Sequence, residues 1–212
     1  MGIVRDVAFN FYYPDDLRAF DQAGVELVKI DTLVDSSLPS IDGLFIGGGF
    51  PERFAQQLHD NVSLRQDIQK FVKDDGPVYA ECGGLMYLSK SISWRGFVHV
   101  MVGAVRANAV MSSRPVGRGY VSFQPKTEHP WPGVAARSDQ EFRGHEFHYS
   151  KLENIDPDMS RAWSMNRGYG IDGMTDGIVH HNLLGTYLHQ RNVGGNLWVD
   201  HFVNFVRQCR ST

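Results

Sequence analysis

Cys82 lies within YAECGGLMYL (79–88), after a short apolar run and before two glycines. A thiol placed on a sharp strand-to-helix turn is exposed at the edge of a sheet, and its flanks must be small because the backbone closes tightly there. Ala80 stands two positions before Cys82 and Gly84 two after it. The first peptide of the helix beyond, at Gly83, would present its N–H to an oxyanion. A second donor is expected from the glycine run at 47–49, at Gly48 or Gly49. The plain alternative is that Cys82 is a small buried hydrophobe, the ordinary fate of a free cysteine.

A thiol nucleophile for acyl transfer needs an imidazole base. The chain has nine histidines. His189 ends the strand-like run LLGTYLH, so it is placed to share a rim with Cys82. His145 and His148 lie in GHEFHYS; as a strand, residues three apart face opposite ways and share no metal. His180 and His181 are adjacent and expected to diverge. HEFH is not the HExxH zinc motif. No metal site is expected.

The elements that must position these groups alternate. Strand signals are read at 7–13 (VAFNFYY), 25–31, 42–49 and 77–80, with helices at 14–24, around 52–60, at 63–76 and directly after Cys82. Pro14 with acids at the start and Gly24 at the end frame the first helix. Such alternation predicts a mostly parallel sheet with helices on both faces, whose site lies beyond the carboxyl ends of the strands. Both glycine runs, 47–49 and 83–84, fall at such ends. From about residue 95 strand-like segments separated by turns predict an added antiparallel patch. Residues 194–209 close the chain as an amphipathic helix, with Trp198, Phe202 and Phe205 as core.

The 212 residues suffice for one sizeable core. A net charge of −3 gives no electrostatic footprint for nucleic acid. No apolar run reaches the length of a membrane helix, and the N-terminus lacks a signal-peptide layout. Two cysteines make no disulfide framework, so a reduced, cytoplasmic setting is expected.

Taken in order, AFNFYYPDDL, DGLFIGGGFPE, YAECGGLMYL, GHEFHYS and GTYLH resemble the glutamine amidotransferase domain of the cobyrinic acid a,c-diamide synthase family over nearly the whole chain. The resemblance implies a flavodoxin-like three-layer α/β/α sandwich of the class I glutamine amidotransferase kind, with residues 1–212 as a single glutaminase domain. It implies Cys82 as nucleophile, His189 as the histidine that activates it, and the loop Gly47–Glu52 as part of an oxyanion hole with Gly48, Gly49 and Gly83. Class I triads carry a glutamate two residues after the histidine; here that position is Arg191. The orienter of His189 is therefore open: a backbone carbonyl, a water, Glu146 or an acid from another chain. Glu146 could equally contact substrate.

The family's full enzyme joins this domain to an ATP-binding synthetase domain. No GxxxxGK[ST] occurs here, so ATP and Mg are expected in that partner domain and no cofactor in this one. The implied partners are L-glutamine, the synthetase domain and, through it, a tetrapyrrole; neither nucleic acid nor a membrane is expected. The tail LHQRNVGGN leans toward the branch that amidates sirohaem-like rings. Two other readings stay open: a PfpI-like cysteine hydrolase on the same fold, and a non-catalytic docking module.

Overall fold

The computed structural model describes residues 1–210. Its first half contains β1 (Gly2–Val4), α1 (Pro14–Gln22), β2 (Val28–Ile30), β3 (Leu44–Ile46), a 3-10 turn (Pro51–Phe54), α2 (Ala55–Asp60), α3 (Val62–Lys73), β4 (Val78–Glu81) and α4 (Gly83–Leu88). The second half adds β5 (Ser91–Trp94), β6 (Phe97–Val100), β7 (Asn108–Met111), β8 (Gly117–Pro125), α5 (Pro132–Ala135), β9 (Phe142–His148), β10 (Ser150–Glu153), β11 (Ser160–Arg167), β12 (Thr175–His180), β13 (Leu183–Thr186) and α6 (Trp198–Arg210).

The main sheet runs β2-β1-β3-β4-β13-β12-β11-β8-β9. From β2 to β13 every neighbouring pair is parallel; from β13 to β9 every pair is antiparallel. The parallel strands are covered on both faces, so they read as continuous apolar runs rather than alternating ones. Within β3, Leu44 and Ile46 pack on one side with α2, α3 and α4, while Phe45 packs on the other with α1 and α6. In β4 Val78 and Ala80 join the first core and Tyr79 the second. A smaller sheet, β10-β7-β5-β6, stands apart from the main one.

The segment 7–13, expected as a strand, is a loop crossing the strand ends. The Asp6 carboxylate accepts the N–H groups of Ala8 (2.7 Å) and Phe9 (3.0 Å) and turns the chain away from the sheet. The alternation of apolar residues there instead buries Phe9 and leaves Phe11 bridged to Gly48. The helix after Cys82 is short: it stops at Leu88, where the Ser89 hydroxyl bonds the carbonyls of Met86 (2.6 Å) and Ser91 (2.9 Å) and redirects the chain into β5. The run 182–189 pairs as a strand only to Thr186. Among the described residues no helix is long and apolar enough to cross a membrane.

Candidate active site

β4 carries the chain to Cys82, whose backbone has φ 47° and ψ −98°. A non-glycine residue held there is strained and persists only when its surroundings enforce it. Those surroundings are visible. The Cys82 N–H donates to Thr186 O at 2.7 Å, and its carbonyl accepts the Met86 N–H at 3.1 Å, which starts α4. A side chain on Gly84 would meet Ile46 O at 2.3 Å, so α4 can press this close to β3 only without one. A Cβ on Gly83 would lie 2.9 Å from Gly49 N, so the turn after β3 and the turn at Cys82 touch. Gly49 and Cys82 border one cavity, with Gly83 between their turns.

His189 arrives from β13, the parallel neighbour of β4, in a register that pairs Glu81 with Thr186. The far end of the antiparallel extension then curls back to hold it. His145 of β9 and His189 exchange both backbone hydrogen bonds, at 3.1 and 2.7 Å. Gly48 packs on the imidazole, where a Cβ would stand 2.6 Å from Cε1, and Phe11 meets it edge-on at 4.9 Å. The ring meets Glu81, where Nδ1 lies 3.2 Å from Oε2, and stands close enough to Cys82 to feel its charge, while the Cys82 thiol itself points at Phe147 O, 3.7 Å away. Burial works against charge on His189, but its contacts with Cys82 and Glu81 and their charges outweigh it, raising its pKa to about 10.

Glu81 is itself fixed. It is 2 % exposed, and its Oε1 accepts the Tyr79 hydroxyl at 2.7 Å and the Gln190 N–H at 3.0 Å. Gln190 Nε2 donates back to the Tyr79 hydroxyl at 3.0 Å. The carboxylate that meets the imidazole therefore immediately precedes Cys82 in the chain. Sequence reasoning did not assign Glu81 to His189, because the pairing is made by the lateral adjacency of β4 and β13; a signal in the chain is the acid directly beside Cys82, which suits the PfpI-like alternative.

Glu146, one of the orienters considered, is engaged elsewhere. Its carboxylate accepts Tyr169 N–H (2.7 Å) and Gly170 N–H (2.9 Å) and stands 3.6 Å from His148 Nε2. Burial pushes its pKa up, but His148 and the two amides prevail and hold it below the usual carboxylate range. Arg191, at the position of the usual triad acid, pairs with Asp15 through Nε at 2.8 Å. His145 and His148 do face apart: His145 stacks on His189 at 5.4 Å, and His148 stacks on Tyr187 at 3.9 Å. His180 and His181 do not diverge; their rings are 4.4 Å apart. A φ of 53° at His181 turns its ring back, and its Nδ1 meets Asp75 at 2.8 Å.

A cavity of ≈ 210 Å³ opens beside Cys82, with Gly49, Glu52, Met86, Phe147 and Tyr149 in its wall. The larger cavity, ≈ 280 Å³, lies among Met1, Asp42 and Val206 at the other ends of the strands and holds none of these groups.

The family model described as the CobB/CobQ-like glutamine amidotransferase domain matches residues 1–194. The chain belongs to this family. Within it, the chain is 41 % identical over 208 residues to the cobyrinate a,c-diamide synthase of Magnetococcus marinus, covering 98 % of this chain and 44 % of the relative. Identity to the cobyrinate a,c-diamide synthase of Methanocaldococcus jannaschii is 39 % over 206 residues, 97 % of this chain and 44 % of the relative. The amidotransferase domain thus spans less than half the length of these curated relatives. Its fold matches the structure of PurLQS from Thermotoga maritima with a TM-score of 0.71 at 15 % identity, covering 99 % and 97 % of the two chains. The expected class I amidotransferase architecture is the one observed.

Proposed function

We propose that this domain hydrolyses L-glutamine through a thioester on Cys82 and passes the ammonia to an ATP-binding synthetase part, which amidates carboxylates of a corrin-type tetrapyrrole. The observation that carries the reading is the buried cluster of Cys82, His189 and Glu81, with the His189 imidazole on the Glu81 carboxylate and beside Cys82. An imidazolium held between a sulfur and a carboxylate favours the thiolate, which is the nucleophilic form.

The thiolate of Cys82 attacks the side-chain amide carbon, and the carbonyl electrons move to oxygen. The N–H groups of Gly83 and of Gly49 or Gly48 receive that oxyanion. Nε2 of His189 gives its proton to the nitrogen as the C–N bond breaks, releasing ammonia and leaving the thioester. A water then gives its proton to the same imidazole as it attacks the thioester; collapse expels the sulfur and frees glutamate. Glu81 holds Nδ1–H, which keeps Nε2 directed at the sulfur.

The ring follows from the names of the relatives, which favour a corrin over the sirohaem-type alternative. ATP and Mg would act in the synthetase part. Small soluble reactants and the two free thiols, Cys82 and Cys209, fit a cytoplasmic setting. The test is Cys82→Ser assembled with the synthetase part. Glutamate release should vanish while amidation driven by added ammonium persists. A variant that hydrolyses glutamine at the parent rate would overturn the assignment.

A further inference from the structure

The cavity beside Cys82 contains one carboxylate, Glu52, on the 3-10 turn that follows the glycine loop. It is half-buried. Among the described residues no side-chain cation forms an ion pair with it; its own N–H and the charge of its chain neighbour Arg53 are what lower its pKa, and burial prevails and raises it. The wall's histidine, His148, has Nδ1 on Ser150 O at 2.8 Å; its Nε2 has no hydrogen-bond partner among the described residues and lies 3.6 Å from Glu146, which is outside the cavity wall. Elsewhere the wall is bordered by uncharged polar residues, Trp94, Ser112 and Tyr149.

A half-buried carboxylate in no ion pair is stabilised by a cation that enters beside it. Glutamine brings such a cation. Its α-ammonium is joined by a short methylene chain to the amide carbon that Cys82 must reach. We propose that Glu52 selects the substrate by accepting the α-ammonium of L-glutamine, while the uncharged polar residues of the wall meet the α-carboxylate. This rests on the glutaminase reading and adds to it the feature that separates glutamine from other primary amides.

The test compares glutamate release from L-glutamine with hydrolysis of 4-carbamoylbutanoate, the same amide without the α-ammonium, by the full chain. The parent should prefer L-glutamine. Glu52→Gln should lose about 10–100-fold of that preference, what one charge-assisted hydrogen bond supports. Glu52→Asp, which keeps the charge, should retain most of it. Alkylation of Cys82 by iodoacetamide, which carries no ammonium, should be equal in all three, showing an intact nucleophile. If Glu52→Gln keeps the parental preference with alkylation unchanged, the inference fails and the glutaminase reading stands. If Glu52→Gln alkylates poorly, Glu52→Asp decides: loss of preference in that variant with parental alkylation also overturns the role of the charge. A parent that releases no glutamate defeats both readings together.

Discussion

Glu81 and His189 are each buried, and each is tolerable there because the other, with Cys82, Tyr79 and Gln190, satisfies it. Glu81→Gln keeps the shape and removes the charge. His189 then loses one of the two partners that raise its basicity, so its pKa falls from about 10 toward the value set by burial and Cys82. The imidazolium should therefore lose its proton at lower pH than in the parent. We expect the alkaline limb of glutamate release, which needs that proton for the leaving ammonia, to move down in Glu81→Gln, and the release itself to fall about 10²–10⁴-fold, the range for a misdirected general acid–base. An unchanged alkaline limb would show that Glu81 does not support the base.

At the scale of elements, the glycine turn at 47–49 is held by crowding. A Cβ on Gly49 would stand 2.0 Å from the backbone oxygen of Ala8, an atom that cannot swing aside as a side chain can. Gly49→Ala must displace the 47–49 turn, and glutamate release should drop about 10²–10³-fold, as for one lost oxyanion donor, while iodoacetamide still alkylates Cys82. Release at the parental rate would remove this loop from the mechanism. The elements differ in how legible they were. The turn at Cys82 could be read because Ala80 and Gly84 are its near neighbours in the chain, and the glycine loop because it ends an apolar run. His189 could be assigned to a strand end, although the pairing stops at Thr186. Glu81 could not be assigned to His189, since only the lateral order of β4 and β13 gives it that partner. The loop at 7–13 was misread because its apolar spacing is also that of a strand, and the deciding contact is the local clasp of Asp6 on two amides.

Across the whole molecule, Asp16 ties α1 to the segment after His189 and to α6. Its Oδ1 accepts the Asn192 N–H at 2.7 Å and the Trp198 indole N–H at 3.2 Å. Burial, then the charge of Glu81, raises its pKa from 3.8 to about 7. Between those two values the folded chain keeps a proton that the unfolded chain has released, so this group makes stability fall as pH rises through that window. Asp16→Asn retains the accepting oxygen and lacks the titration. The melting temperature of Asp16→Asn relative to the parent should therefore climb from pH 4 to pH 7; His189 is common to both and cancels in the difference. A difference independent of pH would mean that Asp16 titrates normally. The order of the strands also has a consequence in time. During synthesis β4 and its thiol leave the ribosome long before β13, and domains gain structure as the chain emerges. Until β13 pairs with β4, no imidazole can stand beside the sulfur, so the site is complete only once the last parallel strand of the main sheet has closed.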